Sequence, residues 1–267
     1  MIAQEVLAVR YGTRIATKAD SYLNFHLYGE PDESFEMDYY FWLVRGAGRT
    51  VLVDCGFGEE PGTRRGRATL VDPVAALAGL GVDAAAVDQL VVSHAHYDHI
   101  GNLHRFPNAE IVIARREYEF WTGPYAGRFQ LAHATEPAEL ACLADAGARG
   151  RLRFVDDSLD LAPGIELVVV GGHTPGQMVA KVGPVVLAAD AVHFYEELER
   201  DRPFVVVADL PDMYRGFDVV REMCEDAGTA LVAGHDADVR RRFPDRVDGL
   251  PDGLDEHVVR LSGKEIA

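Results

Sequence analysis

The chain has 267 residues, 48% of them hydrophobic, enough for a substantial core; no Ser/Gly-rich or Pro-rich linker interrupts it, so a single domain over residues 1–267 is expected. A formal charge of −17 repels polyphosphates and anionic bilayers, which argues against nucleic acid or membrane partners. No run approaches the roughly 18 apolar residues of a membrane span, and Met1 to Gly12 lacks a basic patch ahead of an apolar stretch, so a soluble cytoplasmic protein is expected.

Taken in chain order, Asn24 to Asp38 is polar, carries Gly29 and Pro31, and is expected to form a long surface loop of the kind used for lids or oligomer contacts. Tyr39 to Val44 and Thr50 to Asp54 are β-branched and aromatic runs joined by Gly46-Ala47-Gly48, which predicts a largely buried hairpin. Asp72-Pro73 provides an N-cap and a proline at the first helical position, and Gly81 a stop, so a helix is expected between them. Strands follow at Leu90 to Val92, Glu110 to Ala114, Ile165 to Val170, Val185 to Ala189 and Ala230 to Ala233. Helices are expected over Pro137 to Ala146 and about Phe217 to Ala227. β-rich and helical content recurs on either side of residue 160, which predicts two sheets packed together and flanked by helices.

Cys55, Cys142 and Cys224 stand far apart with no C-x-x-C pair, which argues against a disulfide framework and a thiolate metal site. The donors lie elsewhere. Residues 94 to 99 read His-Ala-His-Tyr-Asp-His directly after an apolar strand, and crowding three imidazoles and a carboxylate there points to a bound metal ion. Three more strands run directly into a donor: Val168 to Gly172 into His173, Val185 to Ala189 into Asp190, and Ala230 to Gly234 into His235. Five imidazoles and two carboxylates exceed the roughly four ligands of one tetrahedral ion, so two ions sharing a bridging group fit better. The natural division puts His94, His96 and His173 on one ion, Asp98, His99 and His235 on the other, and Asp190 between them.

His94-x-His96-x-Asp98-His99, followed in order by His173, Asp190 and His235, resembles the metallo-β-lactamase superfamily, and the likeness runs from Val51 to His235. The resemblance implies an αββα sandwich of two mixed β-sheets flanked by helices, with a dinuclear site at its mouth. It also implies that Asp54 buttresses the ligand loop. Two divalent ions, zinc by default with manganese, cobalt or iron as alternatives, would lower the pKa of a shared water and supply hydroxide at neutral pH. Asp98 is the expected proton donor to a leaving alkoxide, and no serine nucleophile elbow is present.

Within the superfamily the chain looks like the acyl-homoserine-lactone lactonases used in quorum quenching, so a metal-dependent hydrolase acting on an ester bond, opening a lactone ring, is expected. The alternatives are hydrolysis of another ester or thioester of secondary metabolism, or a one-iron oxidoreductase of the sulfur-dioxygenase kind. Those lactonases carry a tyrosine three residues after the bridging aspartate; this chain has His193 there and Tyr195 two residues on. His193 is expected to bind the substrate carbonyl in place of the tyrosine, with an added pH dependence near neutrality, or else to line the pocket. Tyr97 is expected to face the substrate or to pack on a neighbouring loop. Glu196 to Arg202 is expected to be a solvated face, Phe194, Tyr195 and Phe204 to be core or tail contacts, and the oligomer, by family analogy, a homodimer through residues 24–38.

Overall fold

A computed structural model describes residues 4–46 and 48–263. Among the described residues there are thirteen strands, interspersed with short helices. They are β1 (Glu5–Thr17), β2 (Ser34–Gly46), β3 (Arg49–Val53), β4 (Ala68–Thr69), β5 (Gln89–Val92), β6 (Glu110–Ala114), β7 (Leu152–Val155), β8 (Ser158–Ala162), β9 (Ile165–Val169), β10 (Met178–Val182), β11 (Val185–Leu187), β12 (Ala230–Val232) and β13 (Val258–Ser262). The first sheet runs β13-β1-β2-β3-β5-β6-β7 with β4 on β1, and the second runs β12-β11-β10-β9-β8. Both are mixed: β3, β5, β6 and β7 are parallel, as are β11 and β12, and the other pairings are antiparallel.

Side-chain alternation explains the layering. On the first sheet Val6, Ala8, Tyr40, Trp42, Val44, Val51, Val53 and Val91 face Leu167, Met178, Ala180, Val182 and Leu187 of the second, giving the inter-sheet core. The opposite face presents Leu7, Val9, Phe41, Leu43, Leu52, Leu90 and Ile111 to helices that include Pro73–Gly79 and Pro137–Ala148. The outer face of the second sheet is covered by Met213, Phe217 and Val220 of the helix Leu210–Met223. The order is therefore helix, sheet, sheet, helix. Each fully buried large apolar side chain contributes about 1.5–3 kcal/mol before entropy is subtracted.

The predicted hairpin is present, with Trp42 opposite Val53 and Val44 opposite Val51; its turn includes Ala47, which lies outside the described residues. Asp72 caps the helix Pro73–Gly79 by accepting from the amide of Ala75 at 2.8 Å. The surface loop expected over residues 24–38 is corrected. Phe25–Tyr28 is a single 3₁₀ turn, and Ser34 to Asp38 belong to the 13-residue strand β2, paired with β1 from Thr17 back to Thr13. The polar residues that suggested a loop are tolerated because that end of β2 is partly exposed. The change from the first sheet to the second falls at the β7 to β8 turn, close to the expected boundary, although β13 returns to the edge of the first sheet. Among the described residues no helix is long and apolar enough to cross a membrane.

Strand direction brings the donors to one edge. Because β3 and β5 are parallel, with Val53 opposite Val91, Asp54 and Ser93 emerge side by side. In the second sheet β9 and β11 each lie antiparallel to β10, and β12 is parallel to β11, so β9, β11 and β12 all point the same way. Their exits deliver His173, Asp190 and His235. The amide of Met178, at the start of β10, donates to the carbonyl of Ser93 at 2.8 Å and ties the two edges together.

Candidate metal centre

His94 and His96 lie on the loop after β5, and His96 begins the short helix Tyr97–Ile100 that carries Asp98 and His99. All seven side chains expected from the sequence meet at this edge, each no more than 7% exposed. They fall into two groups: His94, His96, His173 and Asp190, and Asp98, His99 and His235, with donor atoms inside each group within 4.8 Å of one another. In the first, His96 Nδ1 lies 3.0 Å from His94 Nε2 and 2.9 Å from His173 Nε2. Asp190 Oδ2 is 3.3 Å from His173 Nε2 and 3.7 Å from His94 Nε2. Asp190 Oδ1 instead faces the second group, 3.1 Å from His99 Nε2 and 3.0 Å from His235 Nε2. Asp98 completes that group at 3.9 Å from His99 and 4.0 Å from His235.

The other ring nitrogens decide what the inward ones can do. His99 Nδ1 is 2.7 Å from Asp54 Oδ2, His173 Nδ1 is 2.8 Å from the carbonyl of Val206, and His235 Nδ1 is 2.8 Å from the carbonyl of Asp38. Each of these partners accepts, so each Nδ1 donates, and in a neutral ring Nε2 is left as a lone pair. With all three rings neutral, these lone pairs would face carboxylate oxygens at 3.0–3.3 Å, acceptor against acceptor, an opposition that only a proton or a metal ion between them relieves. His99 Nε2 is buried with no hydrogen-bond partner. Such an array is repulsive unless a cation sits within it, and imidazole and carboxylate are donors that suit divalent first-row metals.

The charge states agree. Burial, with neighbouring imidazoles, holds His94 and His96 well below the usual histidine range, and burial brings His173 to about 3. These rings stay neutral, as metal ligands must. Burial would depress His99 too, but Asp190 and Asp54 outweigh it and hold it well above its usual value. Burial would raise Asp190, yet His99, His193 and His235 pull its carboxyl well below the usual range. The field favours positive charge between Asp190 and His99.

Several supports left no local sequence signal. Asp54 adopts a left-handed φ of 62° and binds the amide and hydroxyl of Ser93 at 2.8 and 2.7 Å besides His99, so one carboxylate fixes the start of the donor loop. Glu117, fully buried, accepts from the amide of Ala95 at 2.9 Å, the indole of Trp121 at 2.7 Å and the amide of Gly176 at 2.8 Å. It clamps the His94 loop to the His173 loop. Two glycines let main chains close in: Gly172, at φ 88°, would place a Cβ 2.5 Å from Met213 Cα, and Gly234 would place one 2.3 Å from the carbonyl oxygen of Ala189.

His193 lies in the same centre. Its Nε2 is 3.0 Å from Asp190 Oδ2, its Nδ1 3.3 Å from Glu197 Oε1, and its ring stacks on Phe204 at 3.8 Å. Glu197 is fully buried and also accepts from the amides of His193 and Phe194 at 2.9 and 3.0 Å, which corrects the solvated reading of Glu196 to Arg202. That segment is the helix Tyr195–Arg200, with Glu197 and Arg202 turned inward. Burial lowers the His193 pKa, but Asp190 and then Glu197 outweigh it and raise it to about 9. Tyr195 is no substitute for a tyrosine at position 193: it lies in the inter-sheet core and donates to the carbonyl of Leu231 at 3.2 Å. Tyr97 is buried, stacks on Phe57 and lines the cavity above the centre. The three cysteines are free.

Comparison with known proteins places this geometry in context. The sequence model of the metallo-beta-lactamase superfamily matches residues 37–239. The N-acyl homoserine lactonase AttM of Azorhizobium caulinodans is 32% identical over 183 residues, 64% of this chain and 66% of that protein, so the match stops just short of two thirds of the relative's length. An N-acyl homoserine lactonase of a Bacillus species is 24% identical over 228 residues, covering 72% of this chain and 86% of its own. Among solved structures, a quorum-quenching N-acyl homoserine lactone lactonase superposes with a TM-score of 0.74 at 19% identity, over 91% of this chain and 96% of the other. The dizinc quorum-quenching lactonase AidC gives 0.69 at 19% identity over 100% and 97%. These likenesses show the fold.

Proposed function

The chain belongs to the metallo-beta-lactamase superfamily, and from that premise we propose that it is a single-domain dinuclear metal hydrolase that opens the ring of an acyl-homoserine lactone or a related lactone. The observation that carries this reading is Asp190, whose two oxygens face two separate donor groups at 3.0–3.3 Å from the nearest imidazoles. A bridging carboxylate suits two ions rather than one. His94, His96 and His173 would hold the first ion and Asp98, His99 and His235 the second, with zinc the default. When bound, such ions acidify a shared water and polarise a carbonyl oxygen.

The remaining chemistry belongs to the chain. His193 is among the residues lining the cavity, its ring held by Phe204 and Glu197 and its Nε2 against Asp190, and it is the candidate donor to a substrate carbonyl oxygen. Asp98 lines the same cavity and is the candidate to pass a proton to the departing alkoxide. An adjoining apolar cavity of about 400 Å³, lined by Phe120, Trp121, Leu131, Pro175 and Val207, reaches His96 and His173 and suits an acyl chain. A homodimer through residues 24–38 would include the Phe25–Tyr28 turn, where Leu27 is exposed.

The test combines elemental analysis with a pH-indicator assay across lactones of increasing tail length. Two metals per chain and one proton released per ring opened are expected; a fully metal-loaded protein inert on every lactone and ester contradicts the reading.

A further inference from the structure

The cavity above the centre has a second lobe of a different character. Of about 390 Å³, it is lined by Arg14, Arg65 and Arg67 together with Tyr39 and Tyr97, over His96, Asp98 and Asp190. Three guanidiniums at one opening run against a net charge of −17. Arg65 is accounted for: it pairs with Glu136, donates to the carbonyls of His133 and Thr135, and lies over the Tyr97 ring. Among the described residues Arg67 lacks a carboxylate partner: its Nε donates to the Tyr97 hydroxyl at 3.0 Å, its Nη1 to the carbonyl of Arg65 at 2.6 Å, and its guanidinium lies 5.9 Å from the centre of the Tyr39 ring. Among the described residues the one side-chain hydrogen bond of Arg14 runs from its Nε to the thioether of Met37, at 3.3 Å. Neither forms an ion pair among the described residues, although Asp20 lines the same lobe.

A half-buried guanidinium with unused donors forfeits hydration that a carboxylate would restore, in the two-pronged geometry for which arginine is shaped. The two lobes share His96, His133, Ala134, His173, Val205 and Val206, so a molecule reaching from one to the other passes the donors His96 and His173. We propose that Arg67, assisted by Arg14, forms a binding site for a carboxylate on the substrate. Among the lactones and esters open to the centre, the favoured substrate is then an amphipathic one, with its apolar chain against Trp121 and Leu131 and an anionic group against Arg67. This rests on the hydrolytic reading of the centre.

A matched pair of amides, N-hexylsuccinamate and its neutral analogue N-hexylsuccinamide, tests the site without turnover. Each is titrated calorimetrically into the metal-loaded protein. The carboxylate is expected to bind about ten-fold tighter or better, as one charge-assisted contact provides, with the preference shrinking as salt rises. In Arg67→Met the ratio should fall toward one, and in Arg14→Met it should fall part of the way; melting and metal content report whether each variant is intact. Should Arg67→Met fail to fold, Arg14→Met alone decides. Equal affinity for the two amides overturns the proposal, as does a preference that survives both substitutions, which would place the carboxylate on the metals. The binding ratio is independent of hydrolysis: lactone opening with no carboxylate preference removes this site alone, whereas an inert protein that keeps the preference removes the lactonase reading alone.

Discussion

His94, His96, Asp98 and His99 come from six consecutive positions and are braced mainly by side chains, whereas His173, Asp190 and His235 come from three separate strand exits and are braced mainly by main chain. On the first side Asp54 fixes His99 and Ser93, and Glu117 fixes Ala95. On the second, the carbonyls of Val206 and Asp38 orient His173 and His235, and Gly172 and Gly234 let the backbones approach. The difference lies in what each half exposes to mutation. A side-chain brace can be removed one atom at a time, while a carbonyl cannot, so the second half is vulnerable at its glycines and at the one carboxylate it shares with the first.

Asp190→Ala breaks the comparison outright, because both halves lose the same ligand. Lactone opening should fall to background, and the gain in melting temperature on adding metal should vanish. Retained activity would mean that the two groups act separately. Gly234→Ala strikes the main-chain half alone. A Cβ 2.3 Å from the Ala189 carbonyl oxygen forces Asp190 and His235 apart, at a cost toward the upper end of about 1–3 kcal/mol, and denaturant unfolding measures it. Asp54→Asn strikes the side-chain half. The amide keeps the shape but not the charge, so metal affinity should drop by about 10–100-fold in a competition assay with a chelator, chiefly for the ion beside His99.

The smallest effect tests the surroundings of the side-chain half. Burial first, then Glu136 and Asp98, raise Glu139 from its ordinary 4.5 to about 8. A carboxyl whose folded pKa is raised contributes fully below pH 4.5 and loses that contribution as pH climbs toward 8. Glu139→Gln should therefore melt like the parent at pH 4.5 and above it at pH 8.5. An equal shift at both pH values would assign the effect to packing.

The same comparison explains what could be read in advance. His94 to His99 were legible because crowded donors after an apolar strand have few other uses, and His173, Asp190 and His235 because each closes an apolar strand. Two packed sheets flanked by helices followed from the recurring β-rich and helical content, and the αββα order from the family resemblance. What stayed hidden depended on distant contacts. Nothing local in Arg115-Arg116-Glu117 tells that Glu117 meets Gly176, and the charges around Glu197 disguised a fully buried carboxylate. β1 was missed although it is paired on both sides, because Arg10, Gly12, Thr13 and Arg14 interrupt its alternation; Arg10 is matched by Asp38 across the pair. Arg14 and Arg67 sit 53 positions apart and become one feature only when β4 pairs with β1.

The central claim is that two ions sit on either side of Asp190. Anomalous diffraction from metal-loaded crystals tests it most directly. Two peaks are predicted, one among His94, His96, His173 and Asp190, the other among Asp98, His99, His235 and Asp190; a single peak at full metal loading would contradict the account.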